Sequence, residues 1–278
     1  MDIREAVKKG HLFLDGAMGT ELYKRGLQGD TSLVNLNAPD VVEEIQRAYI
    51  QAGANIITAN TFAAYKHKQE NADTLIRAAF DIAKKARDEK KIYIAMDMGA
   101  TGMMLEPYGD ISIEECQKEF AEAVQVGAEC GADLVIIETM MDLSELKAAL
   151  NATLETGLPI IATMSFNENG RTMYGTTIKE MAEALDHPNV IAVGMNCGFG
   201  PKAYMPLIDE LKKHTNKPIV MQPNAGLPFV DENGVPSYDL SPEDFADLMV
   251  EAAKKGVHIL GGCCGTSPAH ILAMVNAL

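Results

Sequence analysis

The sequence contains the stretch Val257-His258-Ile259-Leu260-Gly261-Gly262-Cys263-Cys264-Gly265-Thr266-Ser267-Pro268. Its first four residues form a short, mainly apolar run, which predicts a buried strand. Ser267 and Pro268 indicate the start of a helix, because serine caps helix N-termini and proline fits the first turn. Two adjacent cysteines, flanked by glycines, separate the two elements. The stretch therefore predicts a strand–loop–helix unit with reactive side chains at the end of the strand.

The same unit recurs along the chain. Short runs rich in valine and isoleucine, without polar alternation, are typical of strands buried on both faces of a parallel sheet. The eight runs are residues 11–14, 55–59, 92–96, 134–137, 159–164, 190–195, 218–221 and 257–260. Eight such units in 278 residues predict an α/β fold, a (β/α)₈ TIM barrel with its site at the C-terminal ends of the strands. A doubly wound open sheet is the alternative, although no G-x-G-x-x-G motif follows the first strand.

Helix-start signals lie between these runs. Ser112 with Glu115, and Thr177 with Glu180, match the capping-box pattern, and Asp142 is placed to cap a further helix. A helix over residues 3–9 is expected to cover the bottom of the barrel, and the polar loop 226–240, with an Asn-Gly turn at 233–234, is expected to form a flap over the top. No linker or repeat array divides the chain, so residues 1–278 are predicted to form one domain.

Charge and hydropathy exclude several classes of protein. The net charge is −15, and no basic stripe suited to a phosphate backbone is present, which argues against nucleic-acid binding. No run of 18 apolar residues occurs, so no membrane span is expected. The first residues lack the apolar core of a signal peptide. A cytoplasmic location is therefore expected, where the five cysteines would be free or metal-bound.

Three cysteines follow the ends of two predicted strands. Cys197 follows the sixth strand, and Cys263 and Cys264 follow the eighth, which is separated from the sixth only by the seventh. Three thiolates suit zinc, and three protein ligands with an open position are typical of a catalytic zinc site. Glycines beside Cys263 and Cys264 would let the backbone turn both sulfurs to one ion. A metal-free vicinal thiol pair, with redox chemistry, and plain buried cysteines are the alternatives.

Carboxylates occupy the same predicted rim. Asp15 and Glu138 end the first and fourth strands, where acidic groups would hold a substrate ammonium. The turn at residues 16–20 opens a helix whose N–H groups would accept a carboxylate. A metal that holds a thiol as thiolate supplies a nucleophile at neutral pH. These features together predict alkyl transfer to the sulfur of an amino-acid thiol.

The chain resembles a known family through four motifs. They are Leu14-Asp15-Gly16-Ala17-Met18-Gly19-Thr20, Glu138-Thr139, Asn196-Cys197-Gly198 and Gly261-Gly262-Cys263-Cys264-Gly265-Thr266. This set is similar to the homocysteine S-methyltransferase family, and the likeness runs from about residue 12 to residue 278. Within that family, three further stretches look most like the homocysteine-binding module of cobalamin-dependent methionine synthases: Thr58-Ala59-Asn60-Thr61-Phe62, residues 142–149 and Gln222-Pro223-Asn224-Ala225-Gly226.

The resemblance implies a specific chemistry. It implies a barrel with zinc on Cys197, Cys263 and Cys264, homocysteine as substrate and methionine as product. It also implies that Asp15 and Glu138 hold the amino-acid group of homocysteine, and that Asn224 is a zinc ligand when substrate is absent. Gly19, Thr20 and Asn196 complete the predicted substrate-binding set.

The methyl donor expected from the resemblance is a methylcorrinoid on a partner protein or cobalamin domain. Family members that use S-methylmethionine or betaine share the zinc motifs, so these donors remain alternatives. A further alternative is a non-catalytic subunit that binds zinc or homocysteine for a larger methyltransferase.

Overall fold

The structure, a computed structural model, describes residues 2–88, 91–230 and 236–278. Eight parallel strands of this described part form the barrel sheet. They are β1 (Leu12–Phe13), β2 (Ile56–Thr58), β3 (Tyr93–Met98), β4 (Leu134–Met140), β5 (Ile160–Met164), β6 (Val190–Asn196), β7 (Ile219–Gln222) and β10 (Val257–Leu260). Their order in the sheet is β1-β10-β7-β6-β5-β4-β3-β2. This is the predicted (β/α)₈ TIM barrel.

The barrel closes between its first two strands through few contacts. Leu14 forms a parallel bridge with Ile56, and the backbone N–H of Asn55 donates to the carbonyl of Phe13 at 2.9 Å. The Asn55 side chain accepts a further hydrogen bond from the N–H of Phe13 at 2.6 Å. A short β1 is therefore enough to join the two edges of the sheet.

Helices surround the barrel. Their bounds are α1 (Ile3–Ala6), α2 (Met18–Lys24), α3 (Val34–Asn37), α4 (Pro39–Gln51), α5 (Ala72–Arg87), α6 (Ile113–Glu129), α7 (Leu143–Leu154), α8 (Ile178–Ala184), α9 (Pro201–Leu211), α10 (Pro242–Lys254) and α11 (Pro268–Ala277). Both predicted capping boxes are present, at Ser112–Glu115 and Thr177–Glu180. Asp142 caps α7 as expected. No described helix combines the length and apolarity that crossing a bilayer requires.

The N-terminal end of the barrel is apolar. Ile3 of α1 and the following Val7 are almost fully buried against the lower interior of the barrel. The Arg4 side chain donates to the carbonyl of Gly157, which precedes β5. Helix α1 is shorter than the predicted 3–9, but it covers the bottom of the barrel as expected.

Several strands extend further toward the top than the sequence indicated. Strand β4 includes Glu138 and Thr139, β3 includes Asp97, and β6 includes Asn196. The polar residues expected just after these strands are thus part of them, because parallel pairing with neighbours continues to the rim.

The loop after β7 is a small antiparallel hairpin within the described residues. It pairs β8 (Pro228–Val230) with β9 (Pro236–Tyr238). The turn predicted at 233–234 lies outside the described residues. Tyr238 brings this hairpin to the top of the barrel, against Gly265.

Candidate active site

Three thiols converge at the top of the barrel. The sulfurs of Cys197, Cys263 and Cys264 all lie within 4.8 Å of one another. The sulfurs of Cys197 and Cys264 are 3.9 Å apart. All five cysteines are free and described by the structure. The two strand ends that the sequence singled out therefore meet, as expected of strands separated only by β7.

The segment after β7 fixes the three cysteines to one another. The N–H of Cys197 donates to the carbonyl of Gln222, and the N–H of Cys263 donates to that of Pro223, at 3.0 and 2.8 Å. The carbonyl of Cys264 accepts from the N–H of Ala225 at 3.0 Å. One short backbone segment thus holds the cysteine turns of two strands in register.

The glycines beside the cysteines have two different physical reasons. Gly265 has φ of +83°, a left-handed conformation that favours glycine, and a side chain there would meet the ring of Tyr238. Gly261 and Gly262 do not need left-handed backbone. A Cβ at Gly261 would meet Leu14, and one at Gly262 would meet Thr266. Close approach, rather than the predicted conformational freedom, therefore explains glycine at these two positions.

Hydrogen bonds among the three thiols give them very different pKa values. Hydrogen bonds from the side chains of Cys197 and Cys263 lower the pKa of Cys264 to about 3. Hydrogen bonds with the side chains of Cys197 and Cys264, together with burial, raise the pKa of Cys263 well above the usual value for a thiol. A cluster of this kind holds a thiolate at neutral pH, which is the form that binds a soft or borderline cation.

Asp15 lies at the end of β1 and is 4% exposed. One carboxyl oxygen accepts hydrogen bonds from the N–H and the hydroxyl of Thr58, at 2.8 and 3.1 Å. Burial outweighs these bonds and raises the pKa of Asp15 to about 7.

Glu138 lines the same cavity as Asp15. Burial, together with the charges of Asp15 and Cys264, raises the pKa of Glu138 to about 8. The side-chain amide of Gln222 donates to Glu138 at 3.2 Å. A third carboxyl, that of Asp97, is also buried, and burial with the charges of Glu138 and Asp15 raises its pKa well above the usual value. Such a group of carboxyls attracts a cation.

The cavity that these groups line has a volume of about 260 Å³. Thiols, carboxyls and the turn before α2 all contribute to its lining. The lining residues are Asp15, Gly16, Ala17, Met18, Gly19, Thr20, Thr31, Thr58, Asn60, Phe62, Asp97, Glu138, Thr139, Cys197, Gln222, Gly262, Cys263 and Cys264.

The turn at residues 16–20 lies where the sequence predicted it. Gly19 and Thr20 both line the cavity, and Ala17 at the N-cap of α2 makes no side-chain capping bond. The Thr20 hydroxyl accepts from the N–H of Gly265 at 3.3 Å, and the N–H of Ala17 donates to the Thr266 hydroxyl at 3.2 Å. These two bonds join the turn to the cysteine loop.

Asn196 occupies a different place from the other predicted substrate-binding residues. It is fully buried, and among the described residues Thr139 rather than Asn196 lines the cavity. Its side-chain amide is hydrogen-bonded to Thr139 and to Thr163. The Asn196 amide therefore supports the wall of the cavity from behind.

The donor set fits a zinc ion. Three thiol sulfurs are close enough to bind one ion, and thiolates are ligands that zinc prefers. Asn224 lies between Pro223 and Ala225, which are hydrogen-bonded to Cys263 and Cys264. The Asn224 side-chain oxygen is buried without a hydrogen-bond partner. An unpartnered buried acceptor beside the thiols is the environment expected of an additional oxygen ligand.

Asp97 and Gln222, at the ends of β3 and β7, also line the cavity, although neither was assigned a role from the sequence. The signal was present, because both are polar residues at the rim of a buried sheet. Tyr238 carried no signal in the sequence. Burial of its ring, followed by the charge of Cys264 and a side-chain hydrogen bond with Cys264, raises the pKa of Tyr238.

Comparison with known proteins agrees with this geometry. A sequence model of the family described as homocysteine S-methyltransferase matches residues 12–278, nearly the whole chain. The chain belongs to the homocysteine S-methyltransferase family. This membership confirms the resemblance inferred from the motifs and the predicted enzyme class, a methyltransferase.

Relatives of known name are of two kinds. Methionine synthases from Mycobacterium tuberculosis and Mycobacterium leprae are each 31% identical to the chain over 303 aligned positions. The alignment covers 100% of the chain and 25% of each synthase, so the chain spans about a quarter of these relatives. The oxidized form of the homocysteine methyltransferase MmuM from Escherichia coli is 25% identical, with a TM-score of 0.82 and full coverage of both chains. The metallated form of MmuM has the same TM-score at 24% identity and shares the fold.

Proposed function

We propose that this member of the homocysteine S-methyltransferase family transfers a methyl group to the sulfur of homocysteine and so forms methionine. The observation that carries the proposal is the meeting of three thiols and a group of buried carboxyls in one cavity. The thiols suit a metal that binds a substrate sulfur, and the carboxyls suit a substrate ammonium. An amino acid with a thiol side chain matches both ends of the cavity.

Cys197, Cys263 and Cys264 are proposed to hold zinc, with Asn224 as an additional ligand when substrate is absent. Zinc on three thiolates supplies a Lewis acid that lowers the pKa of a substrate thiol, so that no side chain has to act as general base during transfer. The backbone bonds from residues 222–225 keep the three sulfurs together. The metallated form of a homocysteine methyltransferase with the same fold supports a metal-dependent site.

Asp15 and Glu138 are proposed to bind the substrate ammonium. Their raised pKa values mean that the empty cavity holds them partly protonated near neutral pH. An entering ammonium favours their charged forms, so binding replaces a proton with a cation. Asp97, whose Oδ1 is buried without a hydrogen-bond partner, lines the same cavity and offers a further acceptor for the ammonium.

The turn at residues 16–20 is proposed to bind the substrate carboxylate. Its residues line the cavity, and the hydrogen bonds to Thr266 and Gly265 hold it against the cysteine loop. Gly19 leaves room for a ligand to approach the backbone, since the nearest side-chain atom to a Cβ there would be that of Thr31 at 3.9 Å. The sulfur, the ammonium and the carboxylate of one ligand would thus each bind a different group of lining residues.

The methyl donor is proposed to be a methylcorrinoid on a partner protein or cobalamin domain. The likeness to one quarter of two methionine synthases supports this choice. The substrate sulfur forms a bond to the methyl carbon while the donor–methyl bond breaks, and the electron pair of that bond stays with the donor. The free thiols suit a reducing compartment, which supports the expected cytoplasmic location.

A donor panel tests the proposal. Protein of measured zinc content is incubated with homocysteine and with methylcobalamin, S-methylmethionine or betaine, and methionine is quantified. Methionine formed from methylcobalamin, and lost after zinc removal, is the expected result. Turnover with S-methylmethionine or betaine, but not with methylcobalamin, would show that the enzyme forms methionine from a different methyl donor.

Two other outcomes would reject the reaction itself. Zinc and homocysteine binding without turnover for any donor would favour a non-catalytic subunit. Protein that takes up no zinc and readily forms a disulfide would favour a redox role for the vicinal pair Cys263 and Cys264.

A further inference from the structure

Two residues at the rim of the barrel have an unusual backbone. Thr139 in β4 and Cys197 after β6 both have φ of 59°. In the described part of the chain only one other non-glycine residue, Asp88, has positive φ. A left-handed conformation is especially unfavourable for a β-branched residue such as threonine. Something in the fold must therefore hold Thr139 in place.

The conformation of Thr139 decides what faces the cavity. Adjacent residues of a regular strand point to opposite faces of the sheet. Glu138 and Thr139 are adjacent, yet both line the cavity. The pairing of β4 with β5 shifts between Ile137 and Met140, which is the position of these two residues. The left-handed turn at Thr139 thus breaks the alternation and lets the Glu138 carboxyl share the cavity with its neighbour.

One side chain holds Thr139 at two points. The Asn196 side-chain oxygen accepts from the N–H of Thr139 at 2.8 Å, and the Asn196 amide nitrogen donates to the Thr139 hydroxyl at 2.7 Å. The Thr163 hydroxyl of β5 donates to the same Asn196 oxygen at 2.7 Å, which sets the orientation of the amide. Asn196 therefore joins β6 to β4 across β5, inside the barrel.

The same residue adjoins the thiol cluster. Asn196 directly precedes Cys197, the other left-handed residue of the rim. The Tyr204 hydroxyl donates to the backbone carbonyls of both Asn196 and Cys197, and the N–H of Cys197 donates to the carbonyl of Gln222. The backbone of Cys197 is therefore held by contacts that do not depend on the Asn196 side chain or on Thr139.

We propose that Asn196 is a positioning residue that aims Glu138 into the homocysteine cavity by holding Thr139 in its left-handed conformation. The inference deepens the proposed function and rests on it, because homocysteine is the ligand that Glu138 binds there. Asn196 is fully buried and acts through Thr139, without contact with the substrate.

Calorimetric titration of homocysteine into zinc-loaded Asn196→Ala protein tests the proposal. Release of Thr139 is expected to weaken homocysteine binding about tenfold, which is the scale of the cost of one strained backbone residue. Zinc content is expected to equal that of the wild-type protein. Unchanged homocysteine affinity would overturn the proposal, and so would loss of zinc in proportion to loss of binding.

Thr139→Gly supplies the decisive comparison. Glycine adopts positive φ without support, so the effect of Asn196→Ala should nearly vanish when Thr139→Gly is already present. An equal loss of affinity in both backgrounds would show that Asn196 acts independently of Thr139 and would overturn the inference. Thr153→Val serves as the control, because the hydroxyl of this buried threonine bonds to the Ala149 carbonyl within α7 and to Met98, and Thr153 is not among the residues that line the cavity. It should lower the melting temperature and leave homocysteine affinity unchanged.

Failure of the proposed function and failure of the role of Asn196 give different results. Wild-type protein that binds no homocysteine would contradict the proposed function, whatever Asn196 does. The link between Asn196 and Thr139 is then decided by a crystal structure of Asn196→Ala, in which φ of Thr139 is expected to become negative. An unchanged Thr139 conformation in that variant would overturn the inference on its own.

Discussion

The lower and upper halves of the barrel interior are built from opposite chemistry. The lower half is an apolar cluster closed by α1, with buried residues Ile3, Val7, Leu12, Leu14, Ile56, Ala95, Leu134, Ile136, Ile161, Ile191, Ala192, Val220 and Ile259. The upper half is equally buried but polar. Asp15, Asp97, Asn196 and Gln222 are each at most 7% exposed.

The two halves differ in how well their groups are satisfied. Four buried side-chain atoms in the described residues lack a hydrogen-bond partner, and three of them are in Asp97, Gln222 and Asn224 at the upper end. Buried polar groups without partners cost stability. The lower half thus stabilises the barrel, while the upper half keeps polar groups whose missing hydrogen-bond partners a ligand can supply. This contrast leads to four tests.

Removal of one thiol should have the largest effect on the upper half. Cys197→Ala is expected to abolish stoichiometric zinc binding and to lower methyl transfer by more than about a hundredfold, since even indirect disturbance of a metal site costs up to that factor. The far-ultraviolet circular dichroism spectrum should be unchanged, because the lower half carries the fold. Cys263→Ala and Cys264→Ala should behave alike. Broad unfolding in all three variants would instead identify a structural metal site and would remove the contrast between the halves.

Glu138→Gln should have the next largest effect. The neutral amide keeps the size of the side chain but removes a charge-assisted bond to the substrate ammonium, so homocysteine affinity should fall about tenfold or more. Zinc content, measured on the same sample, should not change. Homocysteine affinity equal to that of the wild-type protein would exclude Glu138 from the ammonium site.

The pH dependence of stability should also separate the two halves. Burial raises the pKa of Asp15 from 3.8 to about 7 and that of Glu138 from 4.5 to about 8. Folding therefore favours the neutral carboxyls, and this contribution is complete below the unfolded values and is lost as the pH rises through the folded ones. The homocysteine-free protein should melt about 3 °C or more lower at about pH 8.5 than at about pH 5.5.

The control for this measurement is the double variant Asp15→Asn/Glu138→Gln. It lacks both titrating groups, so its melting temperature should change less with pH than that of the wild-type protein. An identical pH profile for the two proteins would show that the upper carboxyls are ionised in the empty cavity.

The smallest effect on the site should come from the lower half. Ile3→Ala removes a side chain that is 2% exposed at the bottom of the barrel, and should lower the free energy of unfolding by about 2 kcal/mol. Zinc content and homocysteine affinity should stay at wild-type values. A parallel loss of homocysteine affinity would mean that the two halves are not independent.

Much of this arrangement follows from the sequence because it depends on strand ends. Eight apolar runs predicted the barrel, and the rule that chemistry lies where parallel strands end brought Cys197 together with Cys263 and Cys264. The same rule placed Asp15 and Glu138 in one cavity. These predictions needed only the order of the strands and not their detailed register.

Other features depend on contacts that no local pattern encodes. Threonine disfavours left-handed backbone, so nothing in the sequence around Thr139 predicts its conformation. The role of Asn196 depends on the register of three neighbouring strands, and that of Tyr238 depends on the path of the hairpin. Such contacts follow from tertiary packing, which overrides local preference.

The backbone segment 222–225 joins cysteine turns that come from distant parts of the chain. Strand β10 must pair with β7, beside β6, before the turn with Cys263 and Cys264 can meet Cys197. The set of three thiols held by this segment therefore requires that the last strand of the barrel be in place. Cobalt added as a coloured substitute for zinc during refolding would report this step, since absorbance from three thiolates on one metal should develop when β10 pairs with β7.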